Sequence, residues 1–272
     1  MGDNMSKSAI FLLNLARKCH TDQVMERAAG LTYRVLLAFF PFLIFLMSLL
    51  GFTELSASAI VYPIYDVLPL DVAILVEDFL VGLEQTRSRG LLSTSLFFAV
   101  YNSANGFRAI LRSAHAAYHS PIQRGMVKQV LLSVALMLLF ALSLIVMLVM
   151  LVLGRHIWDI FIPDDFEALF VPLSTAGALV VMAFATTLIY KLASPTKLRF
   201  KQVLPGAIST VVAWGVSSAV FGFIIPNFTQ YPAVYGSIAG VFILMLWLNL
   251  ISVILLIGNE LNALLVTEGG AK

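Results

Sequence analysis

Five polar residues within the apolar stretches of this 272-residue chain are the strongest candidates for chemistry. Asn102, Asn105 and Arg108 follow one another three residues apart, so they share one face of a helix. Asn249 and Glu260 share a face of a later apolar stretch. A charged group at membrane depth costs about 2.5 to 3.5 kcal/mol and persists where it meets partners or water. We therefore expect these five side chains to line a path for a polar or anionic substrate.

Three charged residues are expected to meet at one level of the protein. Arg34 lies in the first turn of its apolar stretch, and Arg108 and Glu260 lie toward the cytoplasmic ends of theirs. We predict a buried charge network in which Glu260 pairs with Arg34 or Arg108, below a midplane chamber lined by the three asparagines. The alternative is that each charged side chain extends to the headgroups and no network forms.

The sequence carries no signature of catalysis or of cofactor binding. The chain has four histidines, and they form no zinc-hydrolase pattern. They are His20, His115, His119 and His156. Neither the phosphate-binding GxxxxGK[ST] loop nor the GxSxG nucleophile motif is present. We expect no catalytic residue, no metal and no cofactor. We therefore do not expect the protein to be an enzyme.

The composition predicts a membrane protein. Hydrophobic residues make up 60% of the chain and charged residues 12%, which is about half the charged fraction of a soluble domain. Such an excess of apolar surface needs lipid as its solvent. The net charge of +2 is small and dispersed, so no nucleic-acid partner is expected. The single cysteine, Cys19, cannot form an intrachain disulfide.

Six stretches are long and apolar enough to cross a bilayer as helices, which takes about 20 residues each. They are residues 31–51, 91–111, 130–154, 169–190, 203–226 and 237–264. The predicted fold class is all-α, a polytopic membrane protein with six transmembrane helices. We divide it into a cytoplasmic amphipathic segment at 1–30, one six-helix domain at 31–266 and a cytoplasmic tail at 267–272.

The distribution of basic residues predicts that both termini are cytoplasmic, because Lys and Arg concentrate in cytoplasmic connections. With six spans, one side holds twelve of them, Lys7, Arg17, Lys18, Arg27, Arg112, Arg124, Lys128, Lys191, Lys197, Arg199, Lys201 and Lys272. The opposite side holds only Arg87, Arg89 and Arg155.

Two segments outside the spans are expected to form amphipathic helices. In residues 7–28, the side chains of Lys7, Arg17 and Lys18 would meet anionic headgroups while Ile10, Phe11, Leu15 and Val24 face the acyl boundary. The alternative is a cytosolic cap on the bundle. The external segment 52–90 carries an apolar stripe after Asp71 and either lies on the outer leaflet or covers the mouth of the bundle.

The fifth span is rich in small residues four positions apart, which lets a neighbouring helix approach closely. We predict close packing along this stripe, which consists of Gly206, Thr210, Gly215, Ala219, Ser218 and Gly222.

The order of these motifs resembles the YihY/BrkB family of bacterial inner-membrane proteins, once labelled ribonuclease BN. The similarity is most specific in the last two spans, in Pro205, Gly206, Ala207, Trp214, Tyr235, Gly236, Ser237, Trp247, Gly258, Glu260 and Asn262. A second similar stretch in the first span contains Ala28, Ala29, Tyr33 and Pro41. The resemblance implies an inner-membrane protein of six helices that acts in envelope biogenesis or moves lipid-like solutes. The ribonuclease label is not expected to apply, because a metal-dependent nuclease needs clustered His and Asp ligands.

The predicted function is therefore that of a transporter or lipid translocator that uses no ATP, with membrane lipids or an anionic solute as partners. Arg108 would receive an anionic headgroup from the cytoplasmic leaflet. The alternative is a scaffolding membrane protein that binds a partner through the small residues of span five and the 52–90 segment.

Overall fold

The computed structural model describes residues 7–50, 65, 70–85, 89–120, 125–161, 170–224 and 237–269. These residues form helices and no strands, which confirms the all-α fold class. The eight helices within these ranges are α1 (Lys7–Thr21), α2 (Val24–Leu50), α3 (Leu70–Gln85), α4 (Arg89–Ala117), α5 (Met126–Phe161), α6 (Phe170–Ala193), α7 (Phe200–Ile224) and α8 (Ser237–Gly269).

Four of these helices are long and apolar enough to cross a membrane. The crossing segments are Met126–Met147 in α5, Pro172–Ala193 in α6, Phe200–Ile224 in α7 and Gly240–Thr267 in α8. They correspond to the third to sixth predicted spans. The first two predicted spans fall on α2 and α4, whose described residues do not meet the same criterion of length and hydropathy.

The N-terminal segment is not one helix over 7–28, because the chain turns between α1 and α2. The amide of Asp22 donates to the Lys18 carbonyl at 2.9 Å, and that of Gln23 donates to the His20 carbonyl at 3.1 Å. Gln23 has a φ of 52°, the left-handed conformation that commonly ends a helix. After this turn Val24 is buried in the core rather than placed at the acyl boundary as predicted.

Six long helices are arranged in a ring. Each packs beside the next in the order α2, α4, α5, α6, α7 and α8, and α8 returns to α2. The main core joins the start of α2 to α6, α7 and α8, through Val24, Ala28, Leu31, Tyr190, Val203, Ala207, Leu255 and Leu256. The helix α1 packs on α2 and α8.

The described part of the segment 52–90 packs on the bundle. Val72, Val76 and Leu80 of α3 are buried against Leu43 of α2 and Leu244 of α8. This apolar stripe is the one that the sequence predicted. The other described residue of the segment is Tyr65, whose hydroxyl donates to the Glu77 carboxylate. The rest of the predicted segment 52–90, apart from the start of α4, lies outside the described residues.

The small residues of α7 pack closely only in its first half. A Cβ atom at Gly206 would lie 2.2 Å from the Gly258 carbonyl oxygen, and one at Gly258 would lie 1.9 Å from Oγ1 of Thr210. A Cβ at Gly215 or Gly222 would meet nothing within 4 Å. Ala219 is also exposed, and Ser218 is half-buried.

The predicted packing therefore holds for Gly206 and Thr210 and does not extend along the whole stripe. With about 100° per residue, each step of four residues rotates the position by about 40° around the helix axis. The packed face of α7 continues through Trp214, whose indole N–H donates to the Ile251 carbonyl at 3.2 Å. Gly215 and Ala219 consequently point away from α8.

Candidate functional site

A basic pocket lies between α2 and α4. Its volume is about 260 Å³, and its lining residues are Tyr33, Arg34, Leu37, Asn102, Asn105, Arg108 and Arg112. The structure therefore brings together four of the predicted site residues, Arg34, Asn102, Asn105 and Arg108. The sequence pattern predicts no site role for Tyr33, Leu37 or Arg112, although the spacing of four from Arg108 puts Arg112 on the same face of the helix.

Helical periodicity positions both walls of this pocket. On α2, the core side carries Ala28 and Leu31, which are buried against α6, α7 and α8. At about 100° per residue, Tyr33 and Leu37 lie on the opposite side of α2. Both are exposed. On α4, Leu111 is buried against α5 and α6, while Arg112, one residue on, is exposed in the pocket.

The electrostatic character of the pocket is set by three guanidinium groups. Arg34, Arg108 and Arg112 all line the pocket, so their positive charges repel one another. Nη2 of Arg108 donates to Oδ1 of Asn105 at 2.5 Å, which fixes the orientation of the guanidinium. Among the residues that line the pocket, all of them described, none is acidic. Such a site attracts anions, and the planar guanidinium favours carboxylate or phosphate oxygens.

Arg108 has hydrogen-bonding capacity left over. Its Nε is buried, and no described residue accepts a hydrogen bond from it. A buried donor without an acceptor costs about 1 to 3 kcal/mol, and more when it is charged. Arg108 therefore keeps a donor that the described residues do not use.

Asn249 does not line this pocket. Its Nδ2 donates to Oγ1 of Thr32 at 3.2 Å, and that hydroxyl donates in turn to the Ala28 carbonyl at 2.8 Å. Asn249 therefore ties α8 to α2. The predicted chamber lined by Asn102, Asn105 and Asn249 together is not formed.

Glu260 has a different partner from the predicted one. Nζ of Lys18 lies 3.1 Å from Oε2 of Glu260 and 2.9 Å from Oδ2 of Asp22, and it donates to the Ala117 carbonyl at 2.7 Å. The side chains of Lys18, Asp22 and Glu260 are only 12%, 8% and 4% exposed. We call these three residues the ion cluster. Lys18 is therefore turned into the protein rather than toward headgroups, and Glu260 pairs with it instead of with Arg34 or Arg108.

The ion cluster changes the properties of its neighbours. Burial, and after it the negative charge of Glu260, raises the pKa of the Cys19 thiol to about 11. The same two causes raise the pKa of Tyr118. Nε2 of His119 lies 3.7 Å from Oδ1 of Asp22 at the edge of the cluster. The cluster thus joins α1, the end of α4 and α8 at one end of the bundle.

A third polar group fastens α7 to its neighbours. The amide group of Asn262 accepts a hydrogen bond from the Gly206 N–H at 2.8 Å and donates one to the Val203 carbonyl at 3.0 Å. The hydroxyl of Tyr190 donates to the Leu255 carbonyl at 2.6 Å and lies 2.7 Å from Oγ1 of Thr210. These contacts are buried between helices, so we assign them a structural role.

Across the ranges that the structure describes, no three His, Cys, Asp or Glu side chains are grouped so that they could hold a metal ion.

Comparison with known proteins finds relatives over nearly the whole chain. The family model described as Virulence factor BrkB matches residues 15–272. YfkH of Bacillus subtilis (strain 168), named as a ribonuclease-like protein, is 31% identical over 260 residues, which cover 94% of each chain. A UPF0761 membrane protein of Kangiella koreensis is 25% identical over 239 residues, which cover 87% of this chain and 58% of that protein. No solved structure matches the chain.

Proposed function

Because this chain belongs to the virulence factor BrkB family, whose members include UPF0761 membrane proteins, we propose that it is an inner-membrane transporter or lipid translocator. It works without ATP, serves envelope biogenesis and catalyses no reaction. The observation that carries this proposal is the basic pocket between α2 and α4. The three arginines receive the anionic part of the cargo at the cytoplasmic end of the bundle.

The proposed topology has six spans, with α2 and α4 as the first two. The contact of Lys18 with the Ala117 carbonyl supports it, because it puts the end of α4 beside α1 and the start of α2. The two helices are therefore antiparallel, and their 27 and 29 residues extend for about 40 Å each. Such a length exceeds the roughly 30 Å hydrocarbon core. Both termini then lie in the cytoplasm.

Reporter fusions test the topology. Green fluorescent protein fused to either end of the full chain fluoresces in the cytoplasm, whereas alkaline phosphatase at the same places stays inactive. Active phosphatase at one end and fluorescence at the other would contradict six spans.

Liposomes test the translocation. The purified full chain is reconstituted with phosphatidylglycerol that carries a fluorescent label on one acyl chain, and dithionite is added to quench the outer leaflet. We expect the protein to expose the inner-leaflet lipid to dithionite, and Arg108→Gln to slow this exposure. Arg199→Gln, which changes an exposed arginine outside the pocket, is the matched control. If the labelled lipid of the inner leaflet is as protected from dithionite as it is in liposomes without protein, lipid translocation is contradicted.

Scaffolding remains the second candidate, and one observation favours it. Gly215 and Ala219 of α7 are exposed and point away from α8, and a Cβ at Gly215 or Gly222 would meet nothing within 4 Å. Small residues of this kind allow close approach of another transmembrane helix. If the protein is a scaffold, the labelled lipid of the inner leaflet should stay protected from dithionite. The protein should then associate with a partner helix, and Gly215→Leu should disrupt that association.

A further inference from the structure

One face of α4 is aromatic and apolar at one end and basic at the other. Phe97, Tyr101, Asn105, Arg108 and Arg112 succeed one another at spacings of four, four, three and four, so they share one face of the helix. Phe97 is 67% exposed, and its ring stacks on that of Tyr101 with centroids 6.3 Å apart. One half of the face is thus aromatic and apolar, and the other half is basic.

The neighbouring helix continues this surface. Tyr33 of α2 is 62% exposed, and Leu37 one turn later is also exposed. Both line the basic pocket together with Arg108 and Arg112. The pocket therefore opens on an exposed side of the two helices and is bordered there by apolar side chains.

The length of this surface matches one leaflet of a bilayer. Eleven residues separate Phe97 from Arg108, which corresponds to about 16 Å along the helix. Half of a hydrocarbon core of about 30 Å is about 15 Å. A molecule with its anionic group at the arginines would therefore have its apolar part beside Tyr101 and Phe97.

The chemistry of the pocket favours phosphate as the anionic group. Three guanidiniums line the same pocket, and no acidic residue is among the residues that line it. A phosphate presents several oxygens to such donors at once, and Arg is well suited to bind it bidentately. A volume of about 260 Å³ accommodates a phosphate and the start of a glycerol backbone.

We infer that the pocket and the aromatic half of α4 together bind a phosphate-bearing lipid, with its phosphate among Arg34, Arg108 and Arg112 and an acyl chain along Tyr101 and Phe97. The inference rests on the proposed function, since it identifies the cargo class of the same pocket. The lipid enters sideways from the cytoplasmic leaflet. A free phosphate would use the same arginines but not the aromatic side chains.

Binding to the purified full chain in detergent tests this inference by native mass spectrometry and thermal unfolding. The probes are dioleoylphosphatidylglycerol, dioleoylglycerol with the same chains and no phosphate, and inorganic phosphate. We expect saturable binding and thermal stabilisation by the phospholipid alone. Arg108→Gln weakens this binding by about tenfold or more, because it removes charge-assisted hydrogen bonds. Phe97→Ser weakens it as well, and Arg199→Gln leaves it unchanged.

Stability without ligand separates binding from a structural role. The positive charges of the three arginines repel one another, so Arg108→Gln leaves the melting temperature of the lipid-free protein unchanged or raises it. The same variant reduces the stabilisation that the lipid provides. Equal phospholipid binding by wild type, Arg108→Gln and Phe97→Ser would overturn the inference. Inorganic phosphate that saturates the pocket by itself, with no effect of Phe97→Ser, would identify a free phosphate as the ligand and overturn it too.

The liposome experiment distinguishes the two proposals. Phospholipid binding that Arg108→Gln abolishes, with an inner leaflet that stays protected, supports the lipid site and contradicts translocation. Translocation by a protein that binds no phospholipid in this pocket supports the proposed function and contradicts the lipid site.

Discussion

Replacing Lys18 by methionine should release α1 from the bundle. The ammonium group of Lys18 has three close oxygens, on Glu260 at 3.1 Å, on Asp22 at 2.9 Å and on the Ala117 carbonyl at 2.7 Å. Methionine keeps much of the length and helix propensity of lysine but provides no donor. The change therefore removes the cation and leaves two buried carboxylates beside each other.

The expected cost follows from these distances. At an effective dielectric constant of about 20, each ion pair at about 3 Å contributes a Coulomb attraction of about 5 kcal/mol, which desolvation largely offsets. Removing one member of a buried ion pair costs about 3 to 5 kcal/mol, because its partner stays buried without compensation. About 3 kcal/mol corresponds to a change of roughly 150-fold in an equilibrium constant. We expect the equilibrium constant for local opening of α1 to increase by about that factor.

Amide hydrogen exchange measures this opening in the purified full chain. We expect exchange within Lys7–Thr21 to accelerate by about two orders of magnitude in Lys18→Met while the amides of α7 stay protected. In the double variant Lys18→Met/Glu260→Gln, the free energy of local opening of α1 should recover by at least about 1.5 kcal/mol relative to Lys18→Met, because one of the uncompensated charges is removed. The exposed Lys201→Met is the control and should behave as wild type. Exchange in α1 within twofold of wild type in Lys18→Met would refute the assigned role of the ion cluster.

Two further predictions concern neighbouring parts of the bundle. Gly258→Ala should destabilise the protein by about 3 kcal/mol or more in detergent-induced unfolding, because the new Cβ would lie 1.9 Å from Oγ1 of Thr210. Gly222→Ala meets nothing within 4 Å and should be neutral or slightly stabilising, so equal effects of the two variants would contradict the close packing of α7 on α8. Cys19 should react about 100-fold more slowly with maleimide at pH 8 than an unperturbed thiol, because its pKa is raised from 9.0 to about 11 and only the thiolate reacts. The pH at which the rate reaches half its maximum should fall in Glu260→Gln, which removes a charge that raises this pKa, and an unshifted pH–rate profile would count against the contact.

The apolar helices could be predicted from the sequence because their signal is local. The stretch around Leu136 carries no charge over more than 20 residues, and the structure has the long helix α5 there. The turn at Gln23 could not be predicted in the same way. Its φ of 52° is usually signalled by glycine, and no glycine lies there.

The basic wall of the pocket was predictable, whereas its other wall was not. Spacings of three and four on α4 placed Asn105, Arg108 and Arg112 on one face. Periodicity within one helix does not say which neighbour faces it. That α2 presents Tyr33 and Arg34 there follows from how the buried side of α2 packs on α6, α7 and α8.

The partner of Glu260 was missed for a physical reason. The predicted network includes only charges inside the apolar stretches, and the pattern of residues 7–28 fits a helix at the headgroups as well as a cap on the bundle. The i, i+4 spacing of Lys18 and Asp22 was visible but is equally typical of an exposed helix face. Only the fold brings residue 18 to residue 260.

The contacts between the two ends of the chain constrain how the protein is made. Asn249 is hydrogen-bonded to Thr32, and Glu260 pairs with Lys18, so the polar contacts that tie α1 and α2 to α8 form only after α8 has been synthesised. Before α8 is present, the flank of α2 that carries Thr32 lacks its contact with Asn249. A chain that stops before α8 would lack both contacts, and we expect it to be less stable than the full chain.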